Sequence, residues 1–416
     1  MKILLVHQNF PAQFVHLGPE LARRGHEVAA LSMIDVPPMP GVTGYRSIAK
    51  VGTKSEHQWA LDTEAKLIRA HAATVKASAM RRDGYVPDVI VAHPGWGDTL
   101  FLKDVWPEAR LALYCEFFYG YKDSDHDFDP EFPPVKDEIE HRCGVKVKQL
   151  PQRLMFPMAN AGISPTHFQA SSYPRPFADR ITVIHDGIDT DKLRPRDDGH
   201  IKFASGTSLT RADEVVTFVG RNLEPYRGYH IFMRALPELQ RLRPRAHFVI
   251  IGGDGVSYGR AADKGTTWKE TFLNEVRAQL DMSRIHFVGR LNYAVFTEVL
   301  SLSRLHIYLT YPFVLSWSML EAMALGAPIL GSDTAPVREL IRDGENGMLT
   351  PFFDPKALAE RAAMMLADDA LRTRLSANAR QTIVDGYDLK TRCLPRQIEW
   401  VEGLEKLDPL PPMFEG

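Results

Sequence analysis

Residues 308–331 read YLTYPFVLSWSMLEAMALGAPILG: an apolar run, an irregular loop, a short helical stretch and a second apolar run. Tyr308 to Thr310 close a buried strand. Ser316 or Ser318 can cap the helix, and Gly326 followed by Pro328 stops it. Glu321 is an acidic residue in otherwise apolar helical surroundings, between Leu320 and Ala322. A helix N-terminus that follows a strand is an anion site, because its first amide groups lack intrahelical partners and the helix dipole favours negative charge. A carboxylate one turn further on accepts hydrogen bonds from sugar hydroxyls. A ligand carrying phosphate and ribose suits this geometry.

Around this stretch the second half of the chain repeats one rhythm. Short apolar runs at 215–219, 248–251, 285–288, 305–309 and 329–330 alternate with helical stretches. Parallel strands covered on both faces read this way, as continuous apolar runs. The first half does the same, with candidate strands at 3–6, 28–31, 89–92, 111–115, 162–164 and 181–184. A longer helix over roughly 63–82 carries Leu67, Ala70 and Val75 beside Lys66, Arg69, Lys76, Arg81 and Arg82. Between the halves, DDGHIKFASGTSLTRADE at 197–214 has little periodicity of either kind and reads as a linker or an ordered excursion. The expected architecture is α/β, with two doubly wound, Rossmann-like domains at 1–195 and 196–395 facing each other across a cleft. Ligands in such sheets bind at the carboxyl ends of strands.

Bulk properties narrow the function. A formal net charge of −2 argues against nucleic acid as the main partner. At 44% hydrophobic and 25% charged residues the chain has the composition of a globular protein rather than a disordered or membrane one. The opening MKILLVHQNF is too short in its apolar run for a signal peptide and reads as a first strand. Cys115, Cys143 and Cys393 lack metal or redox spacing, so a reducing, cytoplasmic compartment is expected.

The motifs that can carry chemistry follow predicted strands. GRNLEPYRG at 220–228 places Arg221 and Arg227 on a turn shaped by Pro225 and Gly228; planar guanidinium forks suit a diphosphate, although paired loop arginines are more often surface charges. IGGDG at 251–255, with Gly253, permits close backbone approach to a ligand or is ordinary turn punctuation. HFVGR at 286–290, ending in Arg290, can meet a nucleotide or simply end a strand. In the first half, HPGWGD at 93–98 offers His93, a group able to exchange protons near neutral pH, against the bland reading of a structural histidine. CEFFYG at 115–120 offers Glu116, a carboxylate beside Phe117, Phe118 and Tyr119 that would be costly to bury unpaired. HQNFPAQF at 7–14, including Asn9, faces the same edge and can close over a ligand.

With these residues in place, the chain resembles the family-4 glycosyltransferases of GT-B architecture over nearly its whole length. GRNLEPYRG is similar to the family's GR…KG loop, IGGDG to its G-x-G turn, LEAMALGAPIL to its EAMA-x-G-P-V segment, and ITVIHDGIDTDKLRP at 181–195 to the segment closing the first domain. The opening HQNFPAQF resembles one subgroup of the family's N-terminal domains. The resemblance implies a retaining transfer from a nucleotide sugar, with Arg221 and Arg227 on the donor diphosphate. It places Glu321 on the ribose and the backbone at Ser318 and Met319, beside Ser316, on the distal phosphate. It implies no metal and no cofactor beyond the nucleotide-sugar co-substrate, and a C-terminal helix at about 396–416 that returns to the first domain.

Three departures stand out. Arg227 occupies the family's usual lysine position, and Phe313 stands where the first of two paired glutamates is expected, which predicts an apolar contact and an altered donor sugar. Glu116 stands where many members have a histidine, so either Glu116 or His93 serves the acceptor. A GT-B sugar-nucleotide epimerase and a catalytically degenerate scaffold are the alternatives. The acceptor is open among lipid, glycan, protein and small molecule, and the charged segment 123–153 reads as an acceptor-side insertion. The basic residues of 66–82 suit either a solvated helix face or an anionic membrane surface, so peripheral contact at the inner membrane face is a further expectation.

Overall fold

The structure is a computed structural model of the 416-residue chain. It describes residues 1–412 apart from 135–136, 197 and 204–205. The chain forms two compact units, Met1–Gly187 with the chain from Lys390 onward, and Ile188–Leu389. The boundary falls before the expected 195 because Ile188 and Leu193 are already packed into the second unit's core.

In the first unit, seven strands form one parallel sheet: β1 (Lys2–Val6), β2 (Glu27–Ser32), β3 (Val42–Arg46), β4 (Val89–Ala92), β5 (Arg110–Tyr114), β6 (Ala159–Ser164) and β7 (Ile181–Val183), in the order β3-β2-β1-β4-β5-β6-β7. Successive residues of β1 serve opposite faces. Leu4 and Val6 pack with Ala70, Ala73, Ala77 and Met80 of the helix Gln58–Arg82, while Ile3 and Leu5 pack in the other layer with Ile398 and Val401 of the helix Leu394–Gly403. Both faces are therefore apolar, and β1 reads as the unbroken run KILLV.

The second unit repeats the plan. Its strands are β8 (His200–Lys202), β9 (Ser208–Thr210), β10 (Val215–Asn222), β11 (His247–Gly253), β12 (Ile285–Gly289), β13 (Leu305–Tyr308), β14 (Ile329–Ser332) and β15 (Met348–Thr350). Six of them form a parallel sheet in the order β12-β11-β10-β13-β14-β15. In both sheets the strand order reverses at one place, between β1 and β4 and between β10 and β13. Crossover helices leave in opposite directions there and open a crevice at the strands' carboxyl ends.

The stretch 197–214, read as a linker or an ordered excursion, is ordered: it contains an antiparallel hairpin, β8 with β9, with Ile201 paired to Leu209; residues 197, 204 and 205 of it lie outside the described residues. The helix Gln58–Arg82 starts earlier than residue 63 and turns Ala70, Ala73, Ala77 and Met80 inward, leaving Leu67 and Val75 exposed. Its cations are largely engaged within the unit. Lys66 is buried and paired with Asp62 at 2.7 Å, Arg69 Nε donates to Trp96 O at 2.7 Å, Arg81 Nη1 donates to Val105 O at 2.5 Å, and Lys76 lies over the Tyr45 ring. Among the described residues no helix is long and apolar enough to cross a membrane.

Candidate functional site

In the second unit the carboxyl ends of β10 and β13 carry Arg221 and the loops 223–228 and 309–316. Gly228 sits at φ +66°, and a Cβ there would come within 2.4 Å of Leu309 Cβ. Only glycine lets the turn that carries Arg227 dock on β13's exit. Arg227 is thereby buried. Its Nη1 donates to Tyr308 Oη at 3.2 Å, Thr310 Oγ1 at 2.8 Å and Val314 O at 2.9 Å. Its guanidinium lies 5.3 Å from the Tyr258 ring centroid and 5.8 Å from that of Phe313, a cation held against aromatic faces. Arg221 is exposed and makes no hydrogen bond or ion pair among the described residues.

Tyr308 joins Arg227 to the helix Trp317–Ala324. Its hydroxyl oxygen accepts from Arg227 and also from Ser316 N at 2.8 Å. Ser316 caps that helix, with Ser318 N donating to Ser316 Oγ at 3.3 Å and Met319 N to Ser316 O at 3.3 Å. These long contacts hold the first-turn amides loosely, so an anion's oxygens can replace them. Glu321, one turn on, is buried and accepts from Tyr293 Oη at 2.8 Å. Burial lifts its carboxyl above the usual range, partly offset by the tyrosine's hydrogen bond.

Phe313 is buried in an aromatic cluster. Only 2% of its surface is exposed, and it packs against Tyr226 and Tyr258 with ring centroids 5.5 and 4.9 Å away. With Tyr258 it boxes in the Arg227 guanidinium. The glycine turn also differs from a simple ligand cradle. A Cβ on Gly253 would stand 2.7 Å from both Arg290 Nε and Asn222 Oδ1, so the glycine makes room for protein. Arg290 Nη2 donates to Asn222 Oδ1 at 2.8 Å, which also accepts from Gly255 N at 3.2 Å. The following amides of Ser257, Tyr258 and Gly259 donate to Glu224 Oε2 at 3.2, 3.3 and 3.5 Å. Glu224 and Asn222 were missed in the sequence although both lie inside the quoted GRNLEPYRG. Glu224 sits beside Pro225 and Tyr226, the same clue that singled out Glu116.

In the first unit, the carboxyl ends of β1, β4 and β5 bring His7, His93 and Glu116 together. His93 Nδ1 accepts from Gly95 N at 3.1 Å, which leaves the ring proton of the neutral imidazole on Nε2. That nitrogen faces Glu116 Oε2 at 3.3 Å. The two residues offered as alternatives are thus one pair. Gln13 Nε2 donates to Glu116 Oε1 at 3.4 Å, and the His93 ring stacks on Trp96 and Tyr114 and meets His7 edge-on. Asn9 is exposed, its backbone N–H donating to His7 Nδ1 at 3.0 Å. Burial, then the neighbouring His93, push His7 down to about 3. Asp98 was also passed over. It is buried, neither carboxylate oxygen finds a partner on another residue, and burial lifts it to about 6 against the pull of His93, its own backbone amide and Arg69.

These features define a class: a double Rossmann fold of the GT-B type, with a buried arginine and a helix N-terminus joined through Tyr308 in its second half. The family model described as "Glycosyl transferase family 4 group" matches residues 24–193, and that described as "Glycosyl transferases group 1" matches 204–382. The two matches together span most of the chain, which belongs to these glycosyltransferases. It is similar to a D-inositol 3-phosphate glycosyltransferase of a Nocardioides species, 26% identical over 48% of this chain and 44% of that protein. It is likewise similar to a phosphatidyl-myo-inositol mannosyltransferase of Mycobacterium leprae, 27% identical over 42% of each. The chain thus spans less than half the length of these two relatives. A glycogen synthase of Mycobacterium tuberculosis is 26% identical over 94% of this chain and 92% of its own length. Among solved structures, the sucrose-phosphate synthase of Thermosynechococcus elongatus superposes with a TM-score of 0.74 over 98% of this chain and all of that one, at 16% identity. An Anabaena protein solved with UDP superposes with a TM-score of 0.65 over 98% and 100%, also at 16% identity.

Proposed function

We propose that the chain transfers a sugar from a nucleoside diphosphate donor to an acceptor hydroxyl with retention of anomeric configuration, using neither metal nor a resident cofactor. The carrying observation is the hydrogen-bonded path from Arg227 through Tyr308 to the amide of Ser316 at the helix N-terminus. It ties a guanidinium and a helix dipole into one preorganised anion site. In this reading Arg221 and Arg227 hold the diphosphate, the amides of Ser318 and Met319 take its distal phosphate, and Glu321 receives the ribose hydroxyls in place of Tyr293. The bond from the anomeric carbon to phosphate oxygen breaks, the acceptor oxygen bonds to that carbon on the same face, and the leaving phosphate takes the acceptor's proton. The His93–Glu116 pair orients the acceptor or a hydroxyl of the transferred sugar. The relatives' names favour neither an epimerase nor a scaffold.

UDP is the first donor base to try, because a fold neighbour was solved with it. The test is a titration of uridine, guanosine, adenosine and thymidine diphosphates into the chain and into Glu321→Ala, followed by NMR of the product anomer. One base family should bind, with affinity reduced about tenfold or more in the variant. No binding of any nucleotide by the folded chain, or an inverted product, overturns the reading.

A further inference from the structure

At the opposite end of the second unit's sheet lies a cavity of about 400 Å³, a size ordinary for small-molecule sites. Four guanidinium groups line it, those of Arg243, Arg245, Arg304 and Arg372. They share two carboxylates. Arg243 forks onto Glu214, with Nε to Oε2 at 3.0 Å, and Arg245 reaches the same group from 3.9 Å. Arg304 Nη2 donates to Asp369 Oδ1 at 3.1 Å, and Arg372 pairs with that same oxygen. Asp213 also lines the cavity, but its carboxylate accepts from Thr210 N and Oγ1 at 2.8 and 3.0 Å. The lining therefore carries more positive than negative charge. Burial, then the like charges of Arg304 and Arg243, hold Arg372 below the ordinary guanidinium range. The helix Asp369–Tyr387 also begins here, adding the positive end of its dipole.

Four guanidinium groups against three carboxylates leave the polar recess a net positive charge that a further anion would offset. We propose that this recess binds a small phosphorylated molecule of the phosphomonoester class. Planar forks from several directions match phosphate oxygens, and the volume leaves room for a sugar-sized group beyond the phosphate. The site is separate from the donor site. Glu214 immediately precedes β10 and Arg221 lies near its far end, seven residues of extended chain or roughly 20 Å away.

Isothermal titration of the full chain at constant ionic strength tests this, with orthophosphate, pyrophosphate and glucose 6-phosphate as probes. The variants are the double Arg245→Gln/Arg304→Gln, at positions whose side chains are partly or largely exposed, and Arg221→Ala. Glucose 6-phosphate should bind the wild type and Arg221→Ala alike, and the double variant about tenfold or more weakly, with the double variant's response to UDP unchanged. The proposal is overturned if no phosphate compound binds, if sodium chloride at matched ionic strength gives the same signal, or if binding is lost in Arg221→Ala and kept in the double variant. Binding of glucose 6-phosphate with no binding of any of the four nucleoside diphosphates would leave this site standing and remove the donor reading.

Discussion

Phe313 shows how one residue redirects an inference. The missing glutamate suggested an altered donor sugar, but the phenylalanine is buried among Tyr226, Tyr258 and Arg227. Phe313→Glu places a carboxylate beside a guanidinium already engaged by Tyr308, Thr310 and Val314. The two should pair and draw Arg227 from its box. Donor kcat/KM should fall about tenfold or more with the ranking of donor sugars unchanged; a new preference would restore the original expectation. Asp98 makes a second case. Its carboxyl is raised to about 6, so between its unfolded value and 6 the folded chain holds the extra proton. Stability from this group is therefore present below that window and lost as pH rises through about 6. In Asp98→Asn the charge is gone. The variant's stability relative to wild type should improve by about 2.5 kcal/mol between pH 4 and pH 8, read by urea denaturation at both pH values. His7, held neutral by burial, acts in the opposite sense as pH falls below its unfolded value, so only the difference between the two chains isolates Asp98. A difference independent of pH would mean that Asp98 is not a buried, ionising group.

Among the elements, the loop after β11 is held by Glu224, with Asn222 beside it. Glu224 receives three consecutive amides, and Tyr258 in that loop stacks over Arg227. Glu224→Ala leaves those amides without their acceptor and should cost about 1–3 kcal/mol, with faster hydrogen exchange at 254–259 and weaker nucleotide binding. Glu224→Gln keeps one acceptor oxygen and should recover part of both. Unchanged exchange in the alanine variant would show that the loop is held by other contacts. Much of the element order was legible for one reason: strands buried on both faces, such as KILLV and VIVA, leave an unbroken apolar signature. β3 has no such signature, because its residues VTGYR are half-buried or exposed at the sheet's edge. The hairpin β8–β9 hid because three-residue strands carry too few alternations to register. The buried face of the helix Gln58–Arg82 was not legible because alanines, small and common on any helix surface, form its stripe. Of the candidate site, motif spacing marked the positions of Arg227 and Glu321. It could not show that Tyr308 bridges Arg227 to the helix cap or that Glu224 claims the glycine-turn amides, since both contacts close only in three dimensions.

Across the whole molecule, sequence order and folding unit do not coincide. The chain leaves the first unit after Gly187, builds the second, and comes back at Lys390. The returning helix Leu394–Gly403 inserts Ile398 and Val401 into the layer beneath β1 and β4, followed by Leu404, and Gln397 Nε2 donates to His185 O at 3.0 Å. The first unit's core is therefore closed by residues more than 200 positions downstream of its own last strand. Arg221, Arg227 and Glu321, by contrast, belong wholly to the second unit. Ile398→Ala should thus cost roughly 2–4 kcal/mol of stability, with the faster hydrogen exchange concentrated in β1, β4 and the helix itself. Nucleotide affinity should stay within about twofold of wild type at a temperature where the variant is folded. Hydrogen-exchange mass spectrometry with and without UDP reads both effects in one experiment. Loss of protection centred instead on β10 and β13 would show that the terminal helix supports the donor unit, and that the division between the units is not an energetic one.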